Sequence, residues 1–236
     1  MANGLFPKHL LPTDAKSWDA IQMSEWQVQE ALKWGPGTHP IDQAKLYFPY
    51  PLYQPQIETL CAFARPHSRA ILSTCNEAGK TSCLILIAGL SVMCAFPGSS
   101  VCSTSASGRQ LVEQLFERHL REIVEQDTWQ AAGWRIRVSK DEGKVTAPNG
   151  STWLGYVCKD AKNVEGFHGK TRVVNGVERY CPLAYINDES KGIGDDIRIG
   201  EKRIDPDFEM SVSTPGEETG WFYEGLDPDT LKAGSR

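Results

Sequence analysis

The 236-residue sequence lacks most of the features that mark membrane, secreted or metal-stapled chains. No uninterrupted apolar run reaches the ~18 residues a membrane span requires. The longest, from Leu84 to Phe96, is interrupted by Ser91. The first eight residues, Met1 to Lys8, have no basic stretch followed by an apolar core, so no signal peptide is expected. Seven cysteines (61, 75, 83, 94, 102, 158 and 181) form no Cys-x-x-Cys pair and have no His at zinc spacing. That pattern points to reduced thiols, not to a disulfide framework or a structural zinc. Positive charge is also scarce, with 25 Lys and Arg against 30 Asp and Glu and a net charge of −5. A general polycationic coat for nucleic acid is therefore excluded, and only a local basic patch remains open. Hydrophobic residues at 40% and charged residues at 23% describe a globular chain, long enough for one large α/β domain or two small ones.

What is present centres on Ser73-Thr74-Cys75-Asn76-Glu77-Ala78-Gly79-Lys80-Thr81-Ser82. A strand-like run, Ala70-Ile71-Leu72, leads in, and an apolar helical pattern from Ser82 to Phe96 leads out. In that context backbone N–H groups and a helix N-terminus can wrap a phosphate chain. Lys80 reaches the β- and γ-phosphates and the Thr81 hydroxyl ligates Mg²⁺. The motif departs from Gly-x-x-x-x-Gly-Lys-[Ser/Thr] at its first position, where Thr74 replaces Gly. The plain alternative is a helix start after a tight turn.

Upstream, a helix is expected from Thr13 or Asp14, carrying Trp18, Trp26 and Trp34 and stopped by Gly35-Pro36-Gly37. The tryptophans are read as packing on the main domain, with a partner-binding helix as the alternative. Tyr53-Gln54-Pro55-Gln56 follows an aromatic, proline-rich stretch and opens a helix. An aromatic ring can cover adenine and a Gln amide can both donate to and accept from its edge, so Tyr53 with Gln54 or Gln56 is a candidate base-reading set.

Downstream, Ser100 to Thr104 reads as a second strand, followed by a helix from Ser105-Ala106-Ser107-Gly108 through Ile123. Short alternating runs between Trp134 and Val157, with a Pro148-Asn149-Gly150 turn, read as edge strands. Asn175-Gly176 marks another hairpin. Leu183 to Asn187 has a buried-strand pattern that ends in Asp188-Glu189, and Phe208 to Ser213 is a last strand ending in Ser213-Thr214. A strand that delivers adjacent acids can supply both a metal ligand, Asp188, and a base for the attacking water, Glu189. Ser213 and Thr214 can contact the γ-phosphate or the water. Ser73, Thr104, Asp188 and Ser213 all fall at strand ends, where ligand crevices of open α/β sheets form. The expected fold is thus α/β, with a mostly parallel sheet and a β-hairpin edge, and it resembles the P-loop NTPases of the RecA-like ASCE type.

The order of these motifs resembles the ATPase domain of the large terminase subunit of tailed double-stranded DNA bacteriophages. The resemblance runs from Tyr53 to Gly216: an adenine-reading Gln motif at Tyr53 to Gln56, a deviant phosphate loop at Thr74 to Thr81, a second-strand motif at Ser103 to Gln110, the acid pair at Ile186 to Ser190, and a coupling motif at Ser213 to Gly216. It implies an ATP- and Mg²⁺-dependent motor that drives double-stranded DNA into a procapsid. It also implies a portal protein, a small terminase subunit and a nuclease domain or chain as partners, a ring of about five subunits, and a place in the cytoplasm of an infected bacterial host. Residues 1–40 would be a helical arm, 41–218 the ATPase domain and 219–236 a tail or linker, with no nuclease activity expected. Members of the family commonly carry an Arg before Gly-Lys, and Cys75-Asn76-Glu77-Ala78 has none. An arginine finger is expected from a neighbour, with Arg109 the first candidate and Arg118, Arg121, Lys170 and Arg172 behind it. The rival readings are a helicase-like translocase of the same ATPase class, a non-catalytic nucleotide-binding assembly module, and a small-molecule kinase.

Overall fold

The computed structural model describes residues 34, 37–48, 51–108, 110–157, 169–174, 176–216 and 220–226. Most of the expected N-terminal arm, the Gly-rich stretch before Gly169 and the finger candidate Arg109 lie outside the described residues.

Nine strands are described: β1 (Ser68–Ser73), β2 (Ser100–Ser105), β3 (Arg135–Val138), β4 (Glu142–Thr146), β5 (Thr152–Val157), β6 (Lys170–Val174), β7 (Val177–Cys181), β8 (Leu183–Asp188) and β9 (Phe208–Ser213). Seven form one sheet in the order β1-β9-β8-β2-β5-β4-β3. The first five run parallel, and β4 and β3 close the edge antiparallel. β6 and β7 make a separate antiparallel pair. No helix among the described residues is long and apolar enough to cross a membrane.

The helices are α1 (Pro40–Tyr47), α2 (Gln54–Phe63), α3, α4, α5 (Asp127–Ala131), α6 (Asp195–Ile204) and α7 (Trp221–Leu226). α3 begins as a π-wound segment, Lys80–Ile85, and continues as the α-helix Leu86–Ala95. α4 is built the same way, from Gln110–Leu120 and Arg121–Val124. Beyond its polar first turn α3 is apolar all round, which fits a helix buried on every side; Leu84 to Leu90 are all buried.

Strand side chains alternate between the two faces of the sheet, and that alternation sorts the core. Ala184 and Ile186 of β8 join Phe208, Met210 and Val212 of β9 in the large cluster with α1, α2 and α3. Leu183 and Tyr185 face the opposite way, into a smaller cluster with Ile193, Ile197 and Ile204. By the same period Asp188 projects toward the α3 side and Asn187 toward α6. Trp34 closes the base of the large core. Its indole N–H donates to the Ala64 carbonyl at 2.8 Å, and its ring meets Phe96 and Phe208 at centroid distances of 5.0 and 5.1 Å.

The structure adds four helices that the sequence pattern did not announce, the short α1 and α5 as well as α6 and α7. α6 carries a buried ionic cluster in which Arg198 pairs with Glu201 at 2.8 Å and with Glu209 at 2.7 Å, and Arg69 reaches Glu209 at 2.9 Å. Glu201 also accepts from Asn187 at 3.1 Å. Burial raises the Glu201 pKa while Arg198 opposes the rise. Such a network is weak evidence for stability but pins α6, β1, β8 and β9 in one register. α7 falls where a tail was expected. Its Trp221 indole donates to the Ile193 carbonyl at 2.9 Å, Arg198 lies 4.9 Å over the same ring, and Phe222 is buried.

Candidate active site

The strand register lines up the chemistry. Ser73 stands opposite Ser213, Val212 opposite Asp188, and Asp188 opposite Ser105. The C-terminal ends of β1, β9, β8 and β2 therefore open onto one crevice, with the candidate phosphate loop, Thr74 to Thr81, on its β1 side.

The loop's backbone explains its missing Gly. The positive-φ positions are Glu77 (62°) and Gly79 (73°), and Thr74 is not among them. A side chain at position 74 thus meets no left-handed strain. Thr74 is instead tied down, its N–H donating to the Ser213 carbonyl at 3.0 Å. Gly79 is required, because a Cβ there would sit 2.9 Å from Cys83 Sγ and 3.1 Å from Gln56 Nε2 at an already positive φ. Cys75, Asn76 and Glu77 are exposed, while Ala78, Gly79, Thr81 and Ser82 are half-buried. Lys80 is buried and donates from Nζ to the Cys75 carbonyl at 2.9 Å, so its ammonium lies across the mouth of the loop.

Thr81 and Asp188 meet directly. The Thr81 hydroxyl donates to Asp188 Oδ2 at 2.8 Å, and Asp188 Oδ1 accepts from the Glu189 backbone N–H at 3.0 Å. Asp188 is 1% exposed. Burial pushes its carboxyl up to about 6; the Thr81 hydrogen bond pulls it back and the Glu189 charge adds to the rise. A buried carboxylate beside a hydroxyl, at the lysine-bearing loop, is an all-oxygen donor pair of the kind that holds Mg²⁺ together with phosphate oxygens.

Glu189 leaves the strand with φ 51°, a left-handed conformation of the sort found at functional sites. Its Oε2 accepts from Ser213 Oγ at 3.2 Å and Thr214 Oγ1 at 3.4 Å. The two residues at the end of β9 therefore grip the second acid of the pair.

The base-reading candidates separate. Gln56, at the third position of α2, accepts at Oε1 from the Tyr53 N–H at 2.9 Å and donates from Nε2 to the Ala78 carbonyl at 2.7 Å. It caps its own helix and holds the phosphate loop. Gln54 is exposed and donates to Glu58 at 2.9 Å, and Tyr53 is 55% exposed. Of the lesser finger candidates, Arg121 is held by Glu117 at 2.7 Å and Glu125 at 2.9 Å on its own helix. Arg172 approaches Ser100 at 3.4 Å, at the end of β2 away from the crevice.

Similarity to solved structures bears on the fold and agrees with this geometry. The chain matches the large terminase of a thermophilic bacteriophage in complex with ADP at a TM-score of 0.52 and 15% identity, over 78% of this chain and 43% of that one. It matches the same terminase in complex with ATP-γ-S at 0.51 and 15%, with the same coverage. This is a P-loop NTPase fold. The order β1-β9-β8-β2 places one strand between the strand that leads into the loop and the strand that ends in the acid pair. The chain spans less than half the length of these terminases. No protein-family model matches the sequence, and no curated protein does.

Sequence reasoning missed two parts of this candidate site. The Gln56 tie to the loop was foreshadowed only by a Gln at the third helical position. Lys191, whose ammonium donates to Thr214 Oγ1 at 2.6 Å, carried no sequence signal.

Proposed function

We propose that the chain is the ATP-hydrolysing motor domain of a terminase large subunit, coupling hydrolysis to translocation of double-stranded DNA into a procapsid. The observation that carries this reading is the meeting of Thr81, Asp188, Glu189, Ser213 and Thr214 at one sheet edge within a terminase-like fold.

In this reading the exposed phosphate loop takes the phosphate chain, and Lys80 exchanges its Cys75 carbonyl for β- and γ-phosphate oxygens. Tyr53 and Gln54, exposed at the start of α2, contact adenine, while Gln56 keeps the loop in shape. Thr81 and Asp188 hold Mg²⁺, which neutralises phosphate charge when bound. Glu189 orients the attacking water and accepts its proton. Ser213 and Thr214 sense the state of that carboxylate, and through β9 the change reaches the rest of the motor. Arg109 of a neighbouring subunit is the arginine finger in a ring of about five copies. The portal protein, a small terminase subunit and a nuclease domain or chain are the partners, in the host cytoplasm.

The test is ATP turnover against protein concentration, with and without double-stranded DNA, for the wild type and Glu189→Gln. Expected is a steep concentration dependence and stimulation by DNA. Glu189→Gln retains ATP binding and loses turnover by roughly 10²–10⁴-fold, the usual worth of a positioned base. Turnover unchanged in Glu189→Gln would remove Glu189 from the reaction, and DNA-indifferent turnover would remove the motor.

A further inference from the structure

Resting on the reading of Glu189 as the base, we infer that Lys191 is a positioning residue that fixes the direction of both hydrogen bonds holding Glu189. Ser213 and Thr214 each have a single hydroxyl proton, and a hydroxyl can send it to only one acceptor at a time. Lys191 occupies the acceptor side of both. Its Nζ donates to Thr214 Oγ1 at 2.6 Å, and its backbone N–H donates to Ser213 Oγ at 3.4 Å. An ammonium and an amide N–H cannot accept in return, so both hydroxyl protons are directed onward to Glu189 Oε2, at 3.2 and 3.4 Å. With Oε2 occupied twice, Oε1 is the oxygen that takes a proton from water.

The surroundings hold Lys191 in this post. It sits two residues after Glu189 in the short 3₁₀ turn Ser190–Gly192, which is closed by the Gly192 N–H to the Glu189 carbonyl at 3.0 Å. Ser190 anchors that turn between both strands, its single hydroxyl proton shared between the Asn187 carbonyl at 3.1 Å and the Val212 carbonyl at 3.2 Å. The Lys191 stem lies against Gly216, where a Cβ would come within 2.9 Å of Lys191 Cδ. Its head group also donates to the Pro215 carbonyl at 3.2 Å. One side chain thus grips residues 214, 215 and 216 and, through Thr214, the base. Because the Ser213 contact uses the Lys191 backbone, a side-chain substitution removes one of the two directed bonds and leaves the other.

The experiment measures kcat and KM for ATP in Lys191→Met, Lys191→Arg, Thr214→Val and the Lys191→Met/Thr214→Val double variant of the full chain. Lys191→Met is expected to lower kcat roughly 10- to 100-fold with KM within about 2-fold, since misplacing a base forfeits part of its contribution without touching substrate binding. Lys191→Arg restores most of the rate. In the Thr214→Val background, Lys191→Met costs no more than about a further 2-fold, because the relay is already cut. Gly216→Val provides an independent check, displacing the stem without removing the charge, and lowers kcat in the same way. A wild-type kcat in Lys191→Met, or losses that multiply in the double variant, overturns the proposal while leaving the ATPase reading standing. An inactive wild type instead removes the base reading, and Lys191's role with it.

Discussion

Gln56 and Ala78 are joined across 22 positions of sequence by a 2.7 Å hydrogen bond from the Gln56 side-chain amide to the Ala78 carbonyl. Ala78 is the residue before Gly79 in the phosphate loop, so the start of α2 sets where the loop's second half lies. The other end of the same amide accepts the Tyr53 N–H. A buried glutamine with both amide atoms engaged inside the protein acts as a strut.

Removing this strut loosens the loop. Gln56→Ala removes two part-buried hydrogen bonds, to the Ala78 carbonyl and from the Tyr53 N–H, each worth on the order of 0.5–1.5 kcal/mol. The expected result is a lower thermal midpoint together with KM values for ATP and GTP that rise in parallel. A rise confined to ATP, at an unchanged midpoint, would instead assign Gln56 to adenine.

The α4 surface carries a pH dependence. Burial, helped by the neighbouring Arg118 charge, lowers the His119 imidazole from 6.5 to about 4. Between those two values the unfolded chain binds more protons than the folded one, so stability rises with pH across the window. The contribution is fully present above about 6.5 and is lost as pH falls toward about 4. His119→Gln is expected to flatten the denaturant midpoint over this range. An unchanged slope would show that other groups set the acid limit.

Gly89 tests the packing of α3 on the sheet. In an exposed helix interior, Gly→Ala gains about 0.8–1.0 kcal/mol from propensity. Here a Cβ would fall 2.2 Å from the Trp153 ring. Trp153 is fully buried and its indole N–H is held by Ser103 Oγ at 2.8 Å, so the ring has no room to retreat. Overpacking of this kind costs about 1–3 kcal/mol. Gly89→Ala is therefore expected to lower stability in chemical denaturation, against the helix-propensity trend.

Much of the frame was legible in local pattern. β1, β2, β8 and β9 stand close to where their apolar runs placed them, and β3, β4 and β5 form the expected sheet edge. α6 was not legible because its inward face mixes Ile197 and Ile204 with buried ions: Arg198 and Glu201 look like surface charges until Glu209 and Asn187 are seen beside them. α7 was not legible because six residues between uninformative flanks carry too little period.

By itself the sequence determined the strands of the main sheet and the residue types at their ends, because strand alternation and the Gly79-Lys80-Thr81 turn are written in neighbouring residues. Only the tertiary structure decided who meets whom. Thr81 bonds to Asp188 across 107 positions, Gln56 turns to the loop, and Glu189 is gripped by Ser213 and Thr214 under Lys191. Those pairings follow from the parallel register of β1, β9 and β8, which brings their ends level. That register is a long-range outcome of packing the whole sheet, and no single stretch of the chain encodes it.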